Sequence, residues 1–355
     1  MSESGVTTRR EGGPMKVGLL TGGGDCPGLN AVIRAVTRRV ADAGGSCLGI
    51  QEGWRGLIRG MFRPLTPEDV DPTIGMGGTI LGSSRTNPYK SPDADVPNLR
   101  RNFAEAGLDA LIVVGGDDTL GVAARLINDF ELPIVGVPKT IDNDLELADF
   151  SFGFDTAVNV VVESVERLRT TAESHRRVMV VETMGRSTGW LACFAGMAVG
   201  ADYILVPEVP IEVPHLIASL RRKREAGKNH AIVLVAEGAR YPDASPAVLE
   251  SDAFGHPRLG GVGSLVAHAI DRQLRAETRT VVLGHLQRGG APTVHDRVLA
   301  TRMGLAAAEL ILRRRFGTVL TLRGSQIADV PLESSVLATR SLDLAYYQDA
   351  AAFFY

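Results

Sequence analysis

The sequence is short of cysteine, of excess charge of either sign and of long apolar runs, and each shortage removes a class of function. It holds three cysteines, Cys26, Cys47 and Cys193, far apart and with no CxxC. A disulfide-stapled fold and a zinc site are therefore not expected, and a reducing, cytoplasmic compartment is. The formal net charge is −3 over 355 residues, which argues against nucleic acid or a membrane surface as partner. No apolar run approaches the ~18 residues that a spanning helix needs. No short-period repeat, no low-complexity core segment and no Pro/Ser-rich linker is present.

Hydrophobic residues make up 45% and charged residues 22%, enough to bury a core of two ordinary domains and remain soluble. The first 14 residues are polar and Gly-rich; they read as a disordered tail, with Met15 standing as an alternative start. After them, short β-branched runs alternate with longer helical patterns, which predicts an α/β protein built on parallel sheets. Strands are expected at 16–21, 110–114, 133–137, 178–183, 202–206, 230–236 and 279–284. Helices are expected at 30–43, 94–106, 119–129, 154–172, 189–199, 213–226, 261–274 and 294–314, and the chain is expected to cross between domains more than once.

Chemistry-bearing residues gather in the loops that follow these strands, where open α/β sheets bind phosphates and metals. The first loop, Thr21-Gly22-Gly23-Gly24-Asp25-Cys26-Pro27-Gly28, lets backbone amides approach an anion. It has no GK[ST], so it is not a P-loop, and Pro27 stands where a dinucleotide fingerprint needs glycine. A plain tight turn is the other reading. Asp117 and Asp118 follow Gly115-Gly116. Adjacent side chains point apart, so one is expected to face Mg²⁺ and the other to do something else; capping of the next helix accounts for one of them. Thr140-Ile141-Asp142-Asn143-Asp144 offers a carboxylate able to take a proton from a hydroxyl nucleophile, or else a simple Asx-turn. Arg85, Arg177, Arg186, Arg279 and Arg288 stand beside glycines or strand ends; any one of them reads as a solvated surface charge, while the Gly-adjacent cases together suggest convergence on one anionic substrate.

Taken together, these segments resemble the phosphofructokinase family from about Met15 to beyond Arg297. The motifs are GLLTGGGDCPGLNAVIR, GGTILGSSR, GGDDTL, PKTIDND, ESHRRVMVVETMGRSTGW, AEGA and GHLQRGG. The resemblance implies two Rossmann-like three-layer αβα domains with mostly parallel sheets. In that expectation, residues 15–150 with about 260–315 form a larger donor-binding domain, and 151–259 with the C-terminal segment form a smaller sugar-phosphate domain. It implies Mg²⁺-dependent phosphoryl transfer to the 1-hydroxyl of fructose 6-phosphate.

By the same resemblance Asp142 is the base, Thr140 and Ile141 lie beside it at the substrate, and Arg186 stabilises the transferring group. Asp117 is the magnesium-side carboxylate. Gly24 and Thr119 contact the donor, and Arg85 bridges donor and acceptor. Met184, Gly185, Arg186 and Glu237 match sugar-binding positions. His285 and Arg288, with Gln287 between them, match the 6-phosphate turn. Arg177 and Arg279 match residues that reach the 6-phosphate from a neighbouring subunit, so a homodimer or homotetramer with shared sites is implied.

ATP-using bacterial members of the family carry GGDGS or GGDGT, then PGTIDND. This chain has Asp118 and Lys139 in place of those glycines. A carboxylate at 118 takes the space and charge of a nucleotide α-phosphate, and an ammonium at 139 lies where the end of pyrophosphate would. Pyrophosphate is therefore the expected donor, with ATP the alternative and an inactive sugar-phosphate sensor a third. Arg34, Arg38 and Arg169 align with a family effector site. Met61, Ala226, Asn229 and Asp202 depart from it, so weak or no response to ADP or phosphoenolpyruvate is expected.

Overall fold

The structure is a computed structural model that describes residues 13–242, 259–333 and 338–355. Of the tail expected over 1–14, residues 1–12 lie outside that range. The chain runs β1 (Lys16–Thr21), α1 (Leu29–Asp42), β2 (Ser46–Ile50), α2 (Trp54–Arg59), β3 (Phe62–Leu65), α3 (Pro67–Val70), α4 (Pro92–Glu105), β4 (Ala110–Gly115), α5 (Asp117–Phe130), β5 (Ile134–Pro138) and α6 (Phe154–His175). It continues through β6 (Val178–Thr183), α7 (Trp190–Ala198), β7 (Tyr203–Leu205), α8 (Val213–Glu225), β8 (Ala231–Ala236), α9 (Val262–Leu274), β9 (Thr278–Val282), α10 (Val294–Leu312), β10 (Thr318–Arg323), β11 (Gln326–Pro331) and α11 (Leu344–Ala351).

Two sheets result. The first has the order β11-β10-β5-β4-β1-β2-β3 and the second β7-β8-β6-β9. Pairing is parallel except at the rims of the first sheet, where β2–β3 and β10–β11 are antiparallel. Both faces of each interior strand must then be covered, which explains the continuous apolar runs. In β6, Val178 and Val180 enter one core cluster while Met179 and Val181 enter the other. β8 divides in the same way, with Ile232 and Leu234 on one side and Val233 and Val235 on the other. These are the two three-layer units expected.

Register then positions the loops. Thr21 of β1 pairs with Val114 of β4, and Val114 with Val137 of β5. The three loops that follow open side by side at one sheet edge. In the second sheet Thr183 pairs with Ala236 and Glu182 with Val282, which aligns the loops after β6, β8 and β9.

The expected strands and helices are found, shifted by a few residues at their ends. Sheet membership corrects the expected residue ranges. α9 packs on β9 and β6 of the second sheet, although 260–315 was expected with the first. β11, in the C-terminal segment expected with the smaller unit, instead pairs with β10 at the rim of the first sheet. α10 packs along α1, where Gly304 permits close approach: a Cβ there would lie 2.8 Å from the Ala35 Cβ. α11 returns to pack on α7. Buried Asp296 in α10 accepts from the Thr156 amide at 2.8 Å and its hydroxyl at 2.5 Å, clipping α10 to the start of α6.

Candidate active site

The loop after β1 is held from three sides. The Gly22 amide donates to Val114 O at 2.9 Å, the Gly23 amide to Ser84 O at 3.2 Å, and the Ser83 hydroxyl to Gly23 O. Thr119 is buried under this turn, and a Cβ on Gly22 would meet its Cγ2 at 2.6 Å, so only glycine fits. The structure thus gives Thr119 a supporting position beneath the loop. Gly24 faces Arg288, whose Nη1 donates to Asp25 O at 3.1 Å. Arg85 is exposed on the loop that carries Ser83 and Ser84. Lys139 is only 4% exposed, and its Nζ donates to Gly24 O. Burial above all, with Arg288 and Arg186 nearby, pushes its ammonium below the ordinary lysine range.

α5 begins at Asp117, and Gly116 at its N-cap makes no side-chain cap. Both aspartates therefore sit in the first turn, where the helix N-terminus favours negative charge. The expectation that they point apart is corrected. Asp117 Oδ1 lies 3.4 Å from Arg186 Nη1, and Asp118 Oδ2 lies 3.9 Å from Arg186 Nη2. Successive helical residues diverge by about 100°, but a guanidinium is wide enough to span both.

The loop after β5 shows that a turn and a site are compatible. The Thr140 hydroxyl donates to Asp144 Oδ1 at 3.0 Å and accepts the Asp142 amide at 3.0 Å. Asn143 adopts a left-handed φ of 54° and accepts the Ser151 amide on its side chain at 3.1 Å. Thr140 and Asn143 build the turn, which leaves the Asp142 carboxylate unused by it. Asp142 is buried, and its Oδ1 has no hydrogen-bond partner among the described residues. An orphaned buried acceptor needs an explanation. Burial, then Asp142 and Asp117, raises Asp144 to about 7. Ile141 is corrected: its side chain belongs to the core.

The loop after β6 comes from the other sheet. Gly185 has φ 138°, and a Cβ there would lie 2.6 Å from Thr188 O. Arg186 follows with a left-handed φ of 50° and donates its amide to Glu237 Oε1 at 3.0 Å. Burial, assisted by Asp142 and Glu182 and opposed by that bond, raises Glu237 to about 7. Gln287 is corrected from a ligand contact to a brace: it is fully buried, accepts the Met184 amide at 3.3 Å and donates to Gly284 O at 3.0 Å. His285 is exposed on the same turn.

Arg177 and Arg279 are not brought to this site within one chain. They stand at the opposite end of β6 and β9, about 20 Å away for a six-residue strand. There both pair with Glu277, Arg177 at 2.7 Å.

The site thus joins an orphaned carboxylate oxygen, a guanidinium between two further carboxylates, and a glycine loop backed by a buried ammonium. Residues 16–311 match the family model described as Phosphofructokinase. The chain belongs to the phosphofructokinase family. Its phosphotransferase relatives divide by donor. A protein of Amycolatopsis methanolica named pyrophosphate--fructose 6-phosphate 1-phosphotransferase is 52% identical over 345 residues, covering 96% of this chain and 100% of its own. A Streptomyces coelicolor protein named ATP-dependent 6-phosphofructokinase 3 is 48% identical, covering 95% of this chain and 99% of its own. The solved phosphofructokinase of Saccharomyces cerevisiae superposes with TM-score 0.79 at 31% identity, over 96% of this chain and 46% of that longer one. A pyrophosphate-dependent phosphofructokinase from Marinobacter aquaeolei shares the fold, with TM-score 0.81 at 21% identity over 96% of this chain and 90% of its own.

Asp144, given no role of its own by the sequence, joins this cluster through the Thr140 hydroxyl. The signal was its spacing, two residues beyond Asp142 on a turn.

Proposed function

We propose that this phosphofructokinase catalyses reversible, Mg²⁺-dependent transfer of a phosphoryl group from pyrophosphate to the 1-hydroxyl of fructose 6-phosphate, giving fructose 1,6-bisphosphate and phosphate. The observation that carries the donor assignment is the buried Lys139 ammonium bonded into the glycine loop. In this reading its charge, held against the glycine loop, compensates that of a bare diphosphate. Asp118 adds a carboxylate in the first turn of α5, which disfavours a nucleotide's additional phosphate.

In this reading Asp142 Oδ1 accepts the proton of the sugar hydroxyl. Arg186 stabilises charge developing on the transferring group, an interaction strengthened by exclusion of water. Glu237 holds the Arg186 loop and faces the sugar. His285 and Arg288 take the 6-phosphate from the turn after β9, which Arg288 ties to the glycine loop. Mg²⁺ fits the donor set. Among the described residues no group of three or more His, Cys, Asp or Glu forms a cage, and Mg²⁺ in phosphotransfer sites is held by one or two carboxylates together with substrate phosphates. Asp117 would hold it; when bound, the ion neutralises charge on the donor oxygens.

A homo-oligomer with shared sites is part of the proposal. It is supported by Arg177 and Arg279 lying away from their own chain's site, and by Val282, Leu286 and Val294, which are 58%, 66% and 77% exposed around β9 and the start of α10. A cytoplasmic setting accords with three buried, unpaired thiols.

An ATP-dependent activity is the second reading, favoured by the ATP-dependent names among relatives of nearly the same identity. Steady-state assay of the purified protein with each donor separates the two: turnover with pyrophosphate and little with ATP is expected, and the reverse overturns the proposal.

A further inference from the structure

Residues 338–343 lie between the two halves of the site. Ala338 O accepts the Glu146 amide at 3.0 Å, and Thr339 bridges Leu145 in antiparallel fashion. The Arg340 amide donates to Asp144 O at 2.8 Å, and its Nη2 serves two carbonyls, Asn143 O at 3.0 Å and Asp149 O at 2.8 Å. These bonds grip the loop that carries Asp142, including the left-handed Asn143. From the other side, Trp190 Nε1 donates to Arg340 O at 3.1 Å, and the guanidinium lies 4.5 Å over the Trp190 ring. Trp190 opens α7, four residues beyond Arg186. Glu208 Oε1 repeats the link, accepting the Gly189 amide at 3.0 Å and the Leu342 amide at 2.9 Å.

We infer that Arg340 is a positioning residue that holds the Asp142 loop of one sheet in register with the Arg186 loop of the other. A single side chain here donates to two carbonyls while its flat face covers an indole. Both bonds leave from one nitrogen, Nη2, which the planar guanidinium holds in place by stacking on the indole; an ammonium has no flat face to stack. Arg340 touches no reacting atom; it acts through the two loops. The inference rests on the reading of Asp142 and Arg186 as reacting groups. Proton acceptance and charge stabilisation must meet on one phosphoryl group, so a small relative shift of the loops lowers the rate more than it weakens binding.

The test uses full-length protein carrying Arg340→Ala or Arg340→Lys, assayed with fructose 6-phosphate and pyrophosphate. Arg340→Ala is expected to lower kcat ~10²-fold, as an ångström-scale misplacement does, with each KM within about threefold of the parent. Arg340→Lys is expected to recover little, and guanidinium ion, at concentrations too low to unfold the protein, to restore part of the Arg340→Ala rate. In a Trp54→Phe background, Arg340→Ala is expected to shift the emission of Trp190. A kcat within twofold of the parent, full recovery by lysine, or a rate loss matched by loss of folded protein in a thermal melt overturns the inference. Asp142→Ser that retains turnover fails the underlying reading instead, and leaves the Trp190 signal in place.

Discussion

The Lys139 ammonium donates to the carbonyl oxygen of Gly24, so a side chain at the end of β5 closes the glycine loop at the end of β1. Under the proposed function this ammonium supplies the positive charge that the phosphoryl donor meets at the loop. Lys139→Gly is expected to lower kcat/KM for pyrophosphate 10- to 100-fold, about the value of one charge-assisted contact. Steady-state kinetics with fructose 6-phosphate saturating reads the change, and a loss under threefold contradicts the assigned role.

Asp142→Ser is expected to reduce kcat by ~10²–10⁴-fold, the usual worth of a general base. Fructose 6-phosphate affinity, measured by calorimetry, is expected to change little, because the loop is built by Thr140 and Asn143 rather than by Asp142. An unchanged kcat removes Asp142 from its role.

Burial raises Asp144 from 3.8 to about 7. The folded state then holds a proton that the unfolded chain has released, so stability is highest below the unfolded value and falls as pH rises through the folded one. Thermal melting between pH 4 and pH 8 is expected to show a smaller decline in Asp144→Asn than in the parent. Equal slopes contradict the assignment. Glu237, also raised to about 7, contributes in the same direction.

Arg34 and Arg38 both pair with Asp71, at 3.1 and 2.6 Å, and Lys223 is buried against Asp202 at 2.5 Å. Arg169 donates to Val199 O. Cations engaged in this way have less to offer an anionic effector. A hyperbolic fructose 6-phosphate curve, unmoved by ADP or phosphoenolpyruvate, is expected. A sigmoidal curve relieved by ADP contradicts it.

Strands such as Ala110–Gly115 were legible because interior parallel strands are apolar on both faces. The hairpin β10–β11 was not. Its residues alternate with Thr, Arg and Asp, although the two-residue Gly324-Ser325 turn between Arg323 and Gln326 was a usable signal. The glycine and carboxylate loops were legible because their residues are contiguous. The convergence of Asp117 and Asp118 on Arg186, and the clasp of Arg340 on Asn143, depend on side chains 69 and 197 residues apart meeting after folding. No local pattern records that.

Under the proposed function Asp118 and Lys139 together set the phosphoryl donor. The most direct measurement is the ratio of kcat/KM for pyrophosphate to that for ATP, in the parent protein and in Asp118→Gly/Lys139→Gly. A ratio far above one is expected in the parent, falling steeply in the double variant; a parent ratio below one, or a ratio the double substitution leaves unmoved, rules out this role for the pair.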